Sequence, residues 1–438
     1  MPTDPADSLR AAAGTPGAQS APLSTIGAAP GRGEGALAGL RVVDAASLFA
    51  GPLAATLLAD HGADVLKVEH PSGDALRGLG WSKAGASLWW EVVNRNKRGI
   101  TLKLSDARGA QVLKRLLLDA DVLVESFRPG TLERWGLDPA ELIGANPRLV
   151  VLRTSGFGQT GPYARRPGFG TLAEAMSGFA HVNGYADGPP TLPPFALADG
   201  LAGVTGAFGV LSALWNRQHS GRGQVVDLAI YEPLYWVLGA QTTLYDQLGE
   251  VQGRSGNRAP FTAPRNTYRT KDEIWLALSG SSQSTAERAL RAVGRGDLGA
   301  AAWFSSHAGR LAHADELDAA IGGFIAQRSA AEVVKVFEEH EAAITPVLDA
   351  HGIAEDPQYR ARQMIARVAH PLLGEVAMQN VVPRLEATPG RIARRAPNLG
   401  EHNREVLLGE LALDEHDLEA LAVAGVVAHR AAAPGADA

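Results

Sequence analysis

Three carboxylates occur in settings where they could do chemistry. Asp187 lies in Gly184-Tyr185-Ala186-Asp187-Gly188-Pro189-Pro190, a compact turn that its prolines stiffen. There it reads either as an acceptor of turn N–H groups or as a catalytic carboxylate. Asp199 precedes Gly200 at the start of a long apolar helical stretch, where it is an N-cap or an acid–base group. Glu174 sits among small and apolar residues of a shorter helical stretch, either buried or facing solvent.

Composition removes many other classes. The 438 residues include no cysteine, so thiol nucleophiles, disulfides, zinc–thiolate sites and iron–sulfur clusters are excluded, and a reducing compartment fits. No H-E-x-x-H, G-x-S-x-G or P-loop pattern occurs, and the 12 histidines are scattered, so no metal site is expected. With 41 basic against 47 acidic side chains, the net charge of −6 argues against a nucleic-acid partner. The longest nearly apolar stretch, Leu201 to Trp215, is too short to span a bilayer, so no membrane partner is expected. Residues 1–35 are rich in Ala, Gly, Pro and Ser without an apolar h-region and read as a disordered leader. A cytoplasmic protein is expected.

Two further motifs have ordinary readings beside sharper ones. Gly156-Phe157-Gly158-Gln159-Thr160-Gly161 matches G-x-G-x-x-G after a strand, but Pro162, Arg165, Arg166 and Pro167 follow it and prevent a clean helix. It reads as a tight loop at the carboxyl end of a strand, a place where α/β folds bind ligands. Trp89-Trp90 and Asn94-Arg95-Asn96-Lys97-Arg98 form an aromatic-then-basic run, a solvated charge cluster or a cradle for phosphates.

The elements that must position these residues alternate in type. Strands are expected at 40–44, 64–69, 122–125, 149–154 and 224–228, with helices at 52–61, 105–118, 139–145, 171–178 and about 199–219. Repeated βα units predict an α/β fold: a Rossmann-like parallel sheet with helices on both faces, in a large domain over 36–230 completed by 396–430. Residues 231–254 read as a linker, 255–350 as a smaller α/β domain, and 351–395 as a second, irregular linker. Ser284-x-x-Glu287 reads as a capping box within the small domain, and a C-terminal helix is expected at about 414–424.

Taken together, Leu40–Asp44 with Ala50-Gly51-Pro52, Leu58–Glu69, Asn94–Arg98, Val122–Gly130, Asp187–Pro190, Leu197-Ala198-Asp199, Gly221–Gln224 and Ala396–Asn403 resemble the family III CoA-transferases. This CaiB/BaiF group contains formyl-CoA transferase and carnitine CoA-transferase and is related to the α-methylacyl-CoA racemases. The resemblance implies that Asp187 is the acylated nucleophile. It also implies CoA contacts from Lys103, Ser126, Phe127 and Arg134, and from Phe157 and Gly158 of the glycine loop. Acyl-CoA and a small carboxylic acid would be the substrates, with no tightly bound cofactor, and the chain would form an interlocked homodimer. The racemases use a His at the position of Phe169 with a neighbour at Gly170, so of their set only Asp199 remains, with Glu174 as a possible second group. Phe49 stands where formyl-CoA transferase has a glutamine, and Asn257–Pro264 replaces that enzyme's glycine-rich lid. An apolar Phe49 points to a larger or less charged acyl group. An isomerase, or a CoA-binding protein without chemistry, are the competing readings.

Overall fold

The computed structural model describes residues 35–428; the expected leader, but for Gly35, lies outside the described residues. The described chain divides into two compact units, the first from residues 35–179, 192–239 and 357–428, the second from 180–191 and 240–356.

The first unit is built on six parallel strands: β1 (Arg41–Asp44), β2 (Asp64–Glu69), β3 (Lys97–Thr101), β4 (Val122–Glu125), β5 (Val150–Ser155) and β6 (Val225–Ala229). Their spatial order is β3-β2-β1-β4-β5-β6. The central strands are apolar on both faces, as strands covered by helices on each side must be. Val43, Leu66, Leu123 and Val151 face a core completed by α2 (Ala107–Leu117), α4 (Pro139–Ala145) and α10 (Glu415–Val423). Val42, Val65, Val124 and Leu152 face α1 (Ala50–Asp60) and the 24-residue α6 (Leu197–Ser220). By length and composition α6 could cross a membrane. Ala198, Ala202, Val210 and Ala213 are instead buried in this core.

Several boundaries differ from the sequence expectation for local reasons. Helix α2 is capped by Asp106, whose side chain accepts the Arg108 N–H, and not by Ser105. Residues 351–395, expected to be irregular, contain two short helices and a hairpin pairing Ile365–His370 with Gly374–Gln379. The expected linker at 231–254 is largely helical, over Tyr231–Val237 and Gln241–Leu248.

The second unit has a three-stranded antiparallel sheet of β7 (Arg265–Arg269), β8 (Trp275–Ser279) and β9 (Ile344–Pro346), with β8 central. It packs Leu276 and Leu278 against α7 (Gln283–Ala292), α8 (Ala314–Ile325) and α9 (Ala330–Glu339). The cap of α7 is Ser282 with Thr285, two residues before the expected Ser284. Residues 180–191, read from sequence with the large domain, belong here. The Gly256 N–H donates to the Gly184 carbonyl at 2.9 Å.

Candidate active site

The strand order reverses between β1 and β4, and the carboxyl ends of strands at such a point are where α/β sheets bind ligands. Ser126 and Phe127 follow β4 at this point. The Ser47 N–H, in the loop after β1, donates to Ser126 Oγ at 2.9 Å and ties the two strand ends together. Phe127 packs edge-on against Trp135 at 5.0 Å. The intervening chain turns at Gly130 (φ 81°) into the one-turn helix α3 (Thr131–Arg134), where Arg134 is exposed and donates to Thr131 Oγ1 at 2.9 Å. Lys103 lies just past β3, which two intervening strands separate from β4, three strand spacings or about 14 Å.

A buried ion group fixes this loop. Glu125, at the end of β4, accepts the Phe127 N–H at 2.7 Å and Arg153 Nε at 2.6 Å, while Arg153 also reaches Glu133 on α3 at 3.0 Å. Burial opposes the Arg153 charge, but the two carboxylates outweigh it and raise its pKa.

The β1 loop is held from below by a second group. Lys97 Nζ meets Asp44 at 2.8 Å, and Lys67 Nζ meets Asp74 at 3.2 Å and Asp44 at 3.8 Å. Both lysines are fully buried. Burial pushes Lys97 down to about 8; at Lys67 the burial penalty is exceeded by Asp44, Asp74 and Glu69, and its pKa is raised. Asp74 also accepts the Leu48 N–H at 3.2 Å, holding Leu48 in the left-handed region (φ 64°), which costs a non-glycine residue about 1–2 kcal/mol. Phe49 follows, with its ring 5.1 Å from Trp89, which stacks on the exposed Trp81 at 6.4 Å.

Neither reading of Asn94–Arg98, as a solvated cluster or a phosphate cradle, holds for its charges. Arg95 pairs with Asp60 and Arg98 with Asp64, at 2.7 and 2.8 Å, and Lys97 is committed to Asp44. All three are buried. The unit's cavity of about 600 Å³ lies at the opposite, amino ends of β1–β3, among Arg41, Asp64 and Arg98.

The glycine loop leaves β5 without opening a helix. Gly158 is buried at φ 81°, and Asp227 in the middle of β6 accepts the Gln159 N–H at 3.1 Å. That amide is therefore occupied. Phe157 stands edge-on to Tyr163 at 6.0 Å.

Asp199 is not the N-cap of α6. It lies inside the first turn, and the acceptor comes from Glu174 on α5 (Gly170–Met176), whose buried carboxylate takes the Ala198 N–H at 3.4 Å. Burial, then the Glu174 charge, push Asp199 up to about 6; burial likewise raises Glu174. Asp199 is therefore a desolvated carboxylate beside a second one.

Asp187 belongs to the second unit and is exposed. The Gly188 N–H donates to the Tyr185 carbonyl at 3.1 Å, closing a β-turn with Asp187 at its third position. Its carboxylate accepts no hydrogen bond among the described residues, so the turn-acceptor reading is not realised.

The CoA-transferase family III model matches residues 37–403. The chain belongs to CoA-transferase family III. It is an enzyme of the CoA-transferase class. It is 41% identical over 390 residues to succinyl-CoA–D-citramalate CoA-transferase of Chloroflexus aurantiacus, covering 89% of this chain and 97% of that protein. It is 31% identical to formyl-CoA:oxalate CoA-transferase of Streptomyces coelicolor, covering 90% and 99%. A crystal structure of a CaiB/BaiF family protein from Brucella suis superposes with a TM-score of 0.76 at 29% identity, over 86% of this chain and 99% of that one.

Within this family III chain, the residues that sequence reasoning missed are those that hold others: Lys67, Asp74, Arg153 and Glu133. A signal was present for Lys67, a lysine between Leu66 and Val68 in a strand apolar on both faces. Such a charge must be paired.

Proposed function

We propose that the enzyme moves CoA from an acyl-CoA thioester to a small carboxylic acid through covalent intermediates on Asp187. The observation that carries this reading is an unpartnered carboxylate on a closed turn in a member of CoA-transferase family III. An Asp187 oxygen attacks the thioester carbonyl, the C–S bond breaks, and an acyl–aspartyl anhydride and CoA thiolate form. The thiolate attacks the aspartyl carbonyl, releasing the donor acid and leaving an aspartyl–CoA thioester. The acceptor carboxylate displaces CoA to give a second anhydride, and thiolate attack at the acceptor acyl carbon releases the new acyl-CoA and restores Asp187. Thioester is exchanged for thioester, so the reaction needs no ATP.

The switch-point crevice is the proposed nucleotide site. Phe127 offers a ring, Ser126 a hydroxyl, and Arg134 and Lys103 charges for phosphates. The Phe157 and Gly158 N–H groups are proposed as oxyanion donors, each worth about 3 kcal/mol in acyl transfer. The succinyl-CoA donor and citramalate acceptor in a relative's name set the first substrate pair to test, alongside bulkier acyl groups suited to Phe49.

An anhydride hydrolyses unless water is excluded, and Asp187 is exposed in a single chain. We assign that cover to the Asn257–Pro264 segment and to a second copy in an interlocked homodimer. The supporting feature is an exposed stripe on α6, Val204, Phe208, Leu211 and Trp215, at the spacing of one helix face. Phe208→Glu with Trp215→Ser should shift the sedimentation of the protein to that of a monomer; unchanged dimers would remove α6 from the interface. A cytoplasmic location belongs to the same proposal.

The alternative, α-proton exchange with Asp199 as acid–base group, is favoured by its desolvated carboxylate. Glu174 is already engaged with Ala198, which leaves that reading short of a second base. Deuterium entering the substrate α-carbon without any acceptor acid would support it. Asp187→Asn should abolish exchange while CoA binding stays intact, and mass spectrometry of wild type with acyl-CoA should place the adduct on the peptide carrying Asp187. Full turnover by the variant rejects the nucleophile.

A further inference from the structure

The turn that carries Asp187 has few bonds of its own. Besides the Gly188-to-Tyr185 closure, it is held by one side chain from elsewhere in the second unit. Arg254 Nε donates to the Tyr185 carbonyl at 3.1 Å, Nη2 to the Gly188 carbonyl at 2.8 Å, and Nη1 to the His181 carbonyl at 3.4 Å. One guanidinium thus bonds both ends of the turn and the chain before it. Its planar fork fixes their separation, which an ammonium group, a single point donor, does not do.

Two neighbours extend the grip. Gly256 is at φ 60°, and a Cβ there would meet the Tyr185 ring at 2.7 Å, so the backbone packs directly on the turn's first side chain. Asn257 Nδ2 donates to Tyr185 Oη at 3.2 Å and to Thr267 Oγ1 on β7 at 2.7 Å, connecting the turn to the small sheet.

From this arrangement we infer that Arg254 is a positioning residue for the acyl-transfer step: it fixes the direction in which the Asp187 carboxylate points. The inference rests on the Asp187 reading above. Bonds to three carbonyls do not touch the substrate, so Arg254 acts on the rate of acylation and not on CoA affinity. Attack by a weak carboxylate nucleophile depends on alignment, and a displacement of about 1 Å costs on the order of 100-fold in rate.

The test compares wild type with Arg254→Ala, Arg254→Lys, Gly256→Ala and Asp187→Asn. Single-turnover acylation is read by mass spectrometry with succinyl-CoA and with bulkier acyl-CoAs, and CoA affinity is measured by calorimetry. Arg254→Ala should lower the acylation rate 10- to 100-fold with CoA affinity within about twofold of wild type. Added guanidinium at millimolar concentration should restore part of the rate. Arg254→Lys should not restore it, and Gly256→Ala should reproduce the loss by pushing on Tyr185. A wild-type acylation rate in Arg254→Ala, or a loss that guanidinium leaves untouched while CoA affinity falls equally, overturns the inference. Turnover retained by Asp187→Asn would reject the nucleophile itself, a different failure from an inactive Asp187→Asn beside an unaffected Arg254→Ala.

Discussion

The Gly170 Cα lies so close to the Asp199 carboxylate that a methyl group on it would sit 2.0 Å from Oδ2. No side chain fits at position 170 beside the first turn of α6.

Gly170→Ala should therefore force Asp199 or α5 to move and cost about 1–3 kcal/mol, the usual penalty of overpacking. Combining it with Asp199→Ala should recover most of that loss. Urea unfolding of the two single variants and the double variant gives the coupling energy; independent effects would mean that the contact is relieved elsewhere.

The same carboxylate sets a pH dependence. Burial and Glu174 raise Asp199 from 3.8 to about 6, so between those values the folded protein keeps a proton that the unfolded chain has released. Its contribution favours folding below about pH 4 and is lost as pH rises through 6. Asp199→Asn removes the titration, and between pH 4 and 7 the wild type should lose on the order of 2 kcal/mol relative to the variant. Parallel curves of urea midpoint against pH would show that Asp199 titrates normally.

Arg153→Met strands the Glu125 carboxylate in the core and should destabilise the protein by about 3–5 kcal/mol. Glu125→Gln with Arg153→Met should regain most of this stability. Both variants should raise KM for acyl-CoA by loosening Phe127, while kcat stays near wild type. An unchanged KM would separate this ion group from the nucleotide site.

Strands β2 and β4 were legible to the residue, because each is an apolar run with polar ends, broken in β2 only by Lys67. Local reading served for the closed turn around Asp187, which its glycine and prolines mark. It failed where the partner is remote. Asp199 reads as a cap because the true acceptor, Glu174, comes from a different helix. The Asn94–Arg98 charges read as solvated because Asp44, Asp60 and Asp64 meet them only once β1, β2 and β3 pair. At α7, a run of hydroxyls around Ser282 gave several equivalent caps, and local pattern alone could not choose between Ser282 and Ser284.

The chain's last seventy residues finish what its first hundred begin. Gly99 and Thr101 on the edge strand β3 donate to His402 Nδ1 and Asn403 Oδ1, and Gly99 accepts the His402 N–H. A nascent polypeptide must present that edge unsealed throughout synthesis of the entire second unit. Translation thus builds in a delay before the tail closes the fold, the interval in which the interlocked homodimer proposed above would have to form.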